Sequence, residues 1–323
     1  MMQYAVFEGA GAIKIGQRER PQAQDGEVLL QVGACSLCGS DLRPWRQGWP
    51  LTPGHEIVGR VRQQGHVLDG QRCLVYIPKW CGQCTSCQSG FEQLCQQLPE
   101  LVGWQRDGGY AEWVCVPEQC LIPIPEDIPT HLAPLLLDTL GTAGHGVRLS
   151  QKVSPTPDKV LVLGAGPIGL GALLVLRQMG YGPIEIHDPN PIRLAFAASM
   201  GAIAVNTVDP KASYPLVLEC SGKDAARQLA LEVVQAMGAV VQLGEADQWQ
   251  IQESKLIRRK DFFYIRSFYF PLHEFAANLE ILRAERAACE RLVDARVPFN
   301  GLHATFAEFA RGERIKPQLF LSE

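Results

Sequence analysis

The chain has no apolar run long enough to span a bilayer, so a membrane-crossing helix is not expected. It also lacks an excess of positive charge. Lys and Arg number 30 against 34 Asp and Glu, for a formal net charge of -4, and no basic field is present to drive binding to a phosphate backbone. Neither nucleic acid nor a membrane is an expected partner. The expected partners are a small molecule and further copies of the chain, as a homodimer or homotetramer. Residues Met1 to Gly11 lack a charged stretch followed by an apolar one, so no export signal is expected. A reducing, cytoplasmic setting follows as an expectation, in which disulfides are not the use of the cysteines. Repeats and low-complexity segments are absent. A hydrophobic fraction of 46% with 20% charged residues argues against disorder, and 323 residues exceed what one core comfortably organises, so two domains are expected.

Cysteine, by contrast, is plentiful at 11 residues. Four of them form a pattern: Cys81, Cys84 and Cys87 stand at two-residue intervals, and Cys95 follows. Short Cys-x-x-Cys turns aim successive sulfurs at one point, and four thiolates close a tetrahedral shell around Zn²⁺. Buried cysteines acting as small hydrophobes have no reason to be so spaced in a polar stretch. A structural zinc on Cys81, Cys84, Cys87 and Cys95 is therefore expected. Cys35, Cys73, Cys115, Cys120, Cys220 and Cys289 are expected to pack in or near the core.

The first part of the chain is β-rich, with short runs at Gln3 to Phe7, Glu27 to Val32, Ile57 to Val61 and Arg72 to Tyr76 punctuated by Gly and Pro. The character changes after Pro155 and Pro157. Lys159 to Leu163 predicts a strand, Ile168 to Met179 a helix and Ile184 to His187 another strand. Further strands are predicted at Ala202 to Val205, Leu216 to Glu219, Ala239 to Leu243 and Phe262 to Ser267, with a helix over Asp224 to Ala236. A parallel α/β sheet is the natural product. From Pro271 onward, helices around Glu274 to Leu282 and Phe306 to Arg311 and a last run Gln318 to Leu321 read as a return to the first lobe.

Between the first strand and helix of the α/β part lies Gly164-Ala165-Gly166-Pro167-Ile168-Gly169. Gly164 permits a tight turn, Gly166 lets a pyrophosphate approach the backbone, and Gly169 allows close helix-to-strand packing. The helix N-terminus receives the phosphates. Asp188, ending the next strand, is placed to accept from ribose hydroxyls and to repel a 2′-phosphate, favouring NAD over NADP. Arg193 is either a flank of the ribose or adenine, or a surface helix residue.

Cys38-Gly39-Ser40-Asp41 and Gly54-His55-Glu56 hold one thiol and one imidazole upstream of the four-cysteine lobe. Together with that lobe, the glycine loop and the late segment Ala307 to Lys316, they occur in an order that resembles the zinc-dependent medium-chain dehydrogenase/reductase family of alcohol, sorbitol and threonine dehydrogenases. The resemblance implies an α/β fold with a β-rich GroES-like catalytic domain (1–150), a Rossmann NAD-binding domain with a doubly wound parallel sheet (151–269), and a C-terminal return to the catalytic domain (270–323). It further implies a second, catalytic zinc on Cys38 and His55, with Glu56 beside it as an alternating or outer carboxylate and Asp41 orienting the imidazole. By position the third ligand is Asp138, an acid after three leucines whose burial needs a partner; an N-cap role is the competing account. Ser40 matches the hydroxyl that takes the substrate proton. The place of a relay histidine is held by Arg43, which cannot accept a proton at neutral pH. Arg43, with Arg46 nearby, either binds an anionic part of the substrate or is exposed loop, and Trp45 and Trp49 either line the pocket or fill space. The activity implied is hydride transfer between a secondary alcohol or polyol and NAD. A catalytically silent zinc- and NAD-binding sensor or structural protein is the alternative.

Overall fold

The structure, a computed structural model, describes residues 1–97, 100–154, 156–245 and 248–321. Pro155, which marks the change of character in the sequence, lies outside the described residues. The chain divides into two compact units: Met1–Leu137 with Cys289–Glu323, and Asp138–Ala288. The strands in chain order are β1 (Met2–Gly9), β2 (Ala12–Arg18), β3 (Glu27–Ser36), β4 (Glu56–Val61), β5 (Arg72–Val75), β6 (Trp113–Pro117), β7 (Leu121–Pro123), β8 (Val160–Leu163), β9 (Ile184–His187), β10 (Ile203–Ala204), β11 (Tyr214–Glu219), β12 (Val234–Gln242), β13 (Phe263–Arg266), β14 (Arg296–Val297) and β15 (Gln318–Phe320).

The first unit is the β-rich one. Its main sheet runs β14-β15-β3-β4-β5-β7, with β6 also paired to β3. β3 is central because its alternation buries Val28, Leu30 and Val32 completely or nearly so. The short helix α1 (Leu42–Gln47) follows β3, and a one-turn helix α2 (Thr85–Gln88) lies in the cysteine lobe. The return of the chain is by β15, antiparallel to β3 with Gln318 opposite Ser36 and Leu319 opposite Cys35. That register carries Lys316 to Glu56 at the start of β4, and the Leu37 amide, just past β3, donates to the Pro317 carbonyl at 2.9 Å.

The second unit contains α3 (Ala143–Ser150), α4 (Pro167–Gln178), α5 (Pro191–Ser199), α6 (Asp224–Val233) and α7 (Phe275–Ala284); α8 (Arg286–Leu292) crosses into the first unit and α9 (Phe299–Ala310) lies within it. Its sheet is wholly parallel in the order β10-β9-β8-β11-β12-β13. Strand order reverses between β8 and β11, the switch point at which open α/β sheets bind ligands beyond their carboxyl ends. Register sets His187, Leu163, Glu219, Gln242 and Arg266 side by side along that edge.

Three boundaries differ from those read in sequence. The second unit begins at Asp138 and ends at Ala288, because the turn Asp138–Thr142, α3 and α7 pack on α4. Helix α6 stops at Val233, since Val234 already pairs with Tyr214 as β12 begins. Helix α9 starts at Phe299, seven residues before the expected Phe306, and its buried stripe of Phe299, Leu302, Thr305, Phe306 and Phe309 has helical spacing that Asn300 and Gly301 mask in the sequence. Among the described residues no helix is long and apolar enough to cross a membrane.

Within the second unit, α3 is tied to the start of α7 by Glu274. Its carboxylate accepts from His145 Nδ1 at 2.9 Å and Arg148 Nη1 at 2.7 Å, and Arg148 Nη2 donates to Asn278 Oδ1 at 2.9 Å. Burial alone would raise the Glu274 carboxyl, but its bonds to His145 and Arg148 hold it below the ordinary value. A depressed carboxyl contributes stability that is present above its unfolded pKa and lost as pH falls through the folded one. Glu274→Gln should therefore lower stability at neutral pH by about 2 kcal/mol and flatten the acid side of the stability profile. Melting curves from pH 7 down to pH 4 measure both, and an unchanged acid slope contradicts the assignment.

Candidate metal and cofactor sites

The four sulfurs of Cys81, Cys84, Cys87 and Cys95 all lie within 4.8 Å of one another. Sγ separations of 3.5 Å for Cys84 to Cys87 and 4.0 Å for Cys81 to Cys87 and Cys84 to Cys95 match the edge of a tetrahedron of ~2.3 Å Zn–S bonds. Backbone amides already face the sulfurs: Cys84 donates to Cys81 Sγ at 3.3 Å, Cys81 to Cys95 Sγ at 3.3 Å and Gln96 to Cys84 Sγ at 3.4 Å. The Gln96 amide, with further donors, pulls the Cys84 thiol down to about 6, whereas burial pushes Cys87 up to about 12. Four thiols at this spacing cannot all ionise against one another unless a cation sits among them, so the donor set fits zinc.

The second cluster brings together Cys38, His55, Glu56 and Asp138, with one donor atom from each within 4.8 Å of the others. Cys38 stands just after β3 and before the turn Gly39–Asp41, His55 immediately precedes β4, and Glu56 opens it. Gly54 makes that entry possible. Its φ of +99° is open to glycine, and a Cβ there would stand 2.9 Å from both Cys35 Sγ and the Tyr110 amide. Asp138 directly follows Leu137, where the chain leaves the first unit. It opens a single π-helical turn, Asp138–Thr142, a rare geometry that recurs at functional positions. The N-cap of the following α3 is Thr142, not Asp138.

Asp41 is fully buried and organises the imidazole. Its Oδ1 stands 3.2 Å from His55 Nδ1, while Oδ2 accepts from the Cys38 amide at 3.0 Å and the Tyr110 hydroxyl at 2.6 Å. With Nδ1 facing a carboxylate, Nε2 is the nitrogen left to bind a metal. Glu56, with no exposed surface, is paired with Lys316, also at 0%. One thiol, one imidazole and two carboxylates whose donor atoms lie within 4.8 Å of one another form a set that suits zinc.

At the glycine loop, Gly164 has φ +105°, and a Cβ on Gly169 would lie 1.8 Å from the Gly164 carbonyl oxygen. A Cβ on Gly166 would meet nothing nearer than Arg193 Nη1 at 3.9 Å. An open glycine face at the N-terminus of α4, headed by Pro167 and Ile168, suits a phosphate. Asp188, 8% exposed at the end of β9, accepts from the Ala165 amide at 2.7 Å and the Asn190 amide at 2.8 Å. Arg193, on α5, faces Gly166 rather than only solvent.

Several participants were not assigned a role from sequence. Lys316 is one; its flanks Ile315 and Pro317 mark a buried stretch in which a charge demands a partner. Trp104 is another, its ring 5.5 Å from the His55 ring and 5.8 Å from that of Trp49. Tyr110 is a third. Glu219, at the end of β11, accepts from the Ser221 hydroxyl at 2.6 Å and the Ser221 and Gly222 amides at 2.8 and 2.9 Å, closing the β11–α6 loop on itself. Trp45 proves to be filler, packed on Phe306 in the first unit's core. Cys35, Cys73, Cys120 and Cys289 are buried and Cys115 and Cys220 half-buried.

The chain is similar to known proteins along most of its length. Residues 24–126 match the alcohol dehydrogenase GroES-like domain. The zinc-type alcohol dehydrogenase-like protein YphC of Escherichia coli strain K12 is 30% identical over 78% of this chain and 80% of its own length. An L-threonine 3-dehydrogenase of Chelativorans strain BNC1 is 32% identical over 70% of this chain and 71% of its own. The solved alcohol dehydrogenase TADH of Thermus strain ATN1 superposes with a TM-score of 0.89 at 28% identity, over 99% of this chain and 100% of that one.

The Glu56–Lys316 pair generates a test that needs no metal. Lys316→Met should destabilise the protein by about 3–5 kcal/mol, because it strands a buried carboxylate. Glu56→Gln combined with Lys316→Met should recover much of that loss in chemical denaturation. Equal losses in the single and double variants would show that the lysine acts by packing alone.

Proposed function

The chain belongs to the zinc-type alcohol dehydrogenases, NAD(P)-linked oxidoreductases of the medium-chain class, and we propose that it oxidises a secondary alcohol or polyol with NAD. The observation that carries this reading is the convergence of Cys38, His55, Glu56 and Asp138 on one point. Cys38, His55 and Asp138 would hold a catalytic zinc, with Glu56 drawn toward Lys316, and the four-cysteine lobe would hold a structural one. When bound, zinc supplies stabilisation of negative charge on the substrate oxygen and nicotinamide supplies a hydride acceptor. Ser40, two residues from Cys38, positions its hydroxyl to accept the substrate proton and pass it to water. Asp41 keeps the His55 ring in one tautomer throughout. Gly164, Gly166, Pro167, Ile168 and Gly169 cradle the cofactor phosphates, Asp188 takes the ribose hydroxyls, and Arg193 flanks them. A catalytically silent sensor would need neither a serine beside Cys38 nor a buried carboxylate cluster aimed at a cation.

The same reading includes self-association in a cytoplasmic setting. β13 is an edge strand of the six-stranded sheet and exposes Phe263 and Tyr264, with Phe268 just beyond. An exposed apolar edge invites pairing, and a second copy is the partner expected there. Sedimentation showing a monomer at micromolar concentration would remove this element.

Metal analysis should find two zinc ions per chain, and kcat/KM should favour NAD over NADP. Asp188→Ser should narrow or reverse that preference by removing the charge that repels a 2′-phosphate. One zinc per chain, or a wild-type preference for NADP, overturns the corresponding assignment.

A further inference from the structure

Ser40 and Arg43 lie three residues apart on a continuous helical stretch, the turn Gly39–Asp41 followed by α1, and so share one face. The next residue after each, Asp41 and Pro44, is buried. Arg43 is half-buried, its Cζ 5.0 Å from the centroid of the Trp104 ring. The same indole approaches the His55 ring at 5.5 Å. The guanidinium thus stands two ring contacts from a residue of the metal cluster, on the face that carries Ser40. α1 contains two arginines and no acidic residue, in a chain whose net charge is negative.

An arginine in this place cannot serve as a proton acceptor. Set over an indole, it loses little side-chain freedom on binding and offers a fork of N–H donors matched to a carboxylate or phosphate. We propose that Arg43 is a specificity-determining residue and that the physiological substrate is an alcohol carrying an anionic group, which Arg43 binds while the carbinol oxygen lies at Ser40. Trp104 is the spacer that sets the distance between carbinol and anion and provides an apolar wall along the carbon chain between them. This inference rests on the dehydrogenase reading above.

The test is NADH formation by the zinc-loaded enzyme with three matched arms: neutral polyols, hydroxy acids of the same chain length, and polyol phosphates. One anionic arm should exceed its neutral counterpart in kcat/KM, and the arm that does so identifies the anion as carboxylate or phosphate. In Arg43→Gln the ratio of anionic to neutral kcat/KM should fall about 30-fold, as expected for loss of a charge-assisted bidentate contact, mainly through KM. Arg43→Lys, which keeps the charge but not the fork, should fall between. Equal kcat/KM for neutral and anionic arms in the wild type, an unchanged ratio in Arg43→Gln, or a rise confined to the KM for NAD overturns the inference and leaves the dehydrogenase reading standing. Absence of NADH formation in every arm overturns that reading, and the inference with it.

Discussion

Burial of negative charge around residues 38 to 56 is the constraint on which the rest of the first unit depends. Asp41 and Glu56 have no exposed surface, and Cys38, His55 and Asp138 converge on the same point. Buried acids are not stable in an apolar surround unless they are hydrogen-bonded, paired or bound to a cation. Asp41 takes the Cys38 amide and the Tyr110 hydroxyl and faces His55, while Glu56 takes Lys316. The cost of breaking any one of these is high because the partner left behind stays buried.

This constraint explains why the chain returns to its first unit after leaving it for 151 residues. The ammonium that compensates Glu56 arrives from a position 260 residues away in sequence, and β15 is the element that delivers it. β15 pairs with β3 so that Gln318 and Ser36 are opposite and their side chains are bonded at 2.9 Å. A shift of one residue in that register would turn Leu319 off the core face and carry Lys316 away from Glu56. Packing and electrostatics therefore fix the same register. Such agreement between levels is the mark of a sequence that specifies one structure.

What the sequence disclosed and what it concealed follow from range. The four-cysteine lobe and the glycine loop are local, with spacing set by a single turn, and their geometry could be read directly from the residues. The strands of the second unit were legible for the same reason, as short Val/Leu/Ile runs between turns. The pairing of Lys316 with Glu56, the stacking of Trp104 between His55 and Arg43, and the hydroxyl of Tyr110 on Asp41 were not, because each joins segments brought together only by tertiary structure. The start of α9 at Phe299 was hidden by Asn300 and Gly301, weak helix formers that the buried stripe overrides. Val234 left the expected helix for β12 by a similar override, since pairing with β11 outweighed its helical neighbours.

The two carboxylates nearest the metal cluster are distinguished by the same charge argument. Glu56 has a covalently independent cation of its own in Lys316, and coordination to zinc would have to compete with that pair. Asp138 opens a π-helical turn directly after Leu135, Leu136 and Leu137, all at 0% exposure, and is itself 9% exposed. A divalent cation, when bound, favours the ionised form of a coordinating carboxylate and takes thiolate and neutral imidazole as its other ligands. Cys38, His55 and Asp138 would hold a catalytic zinc on the proposed reading, and Glu56 would reach it only by leaving Lys316.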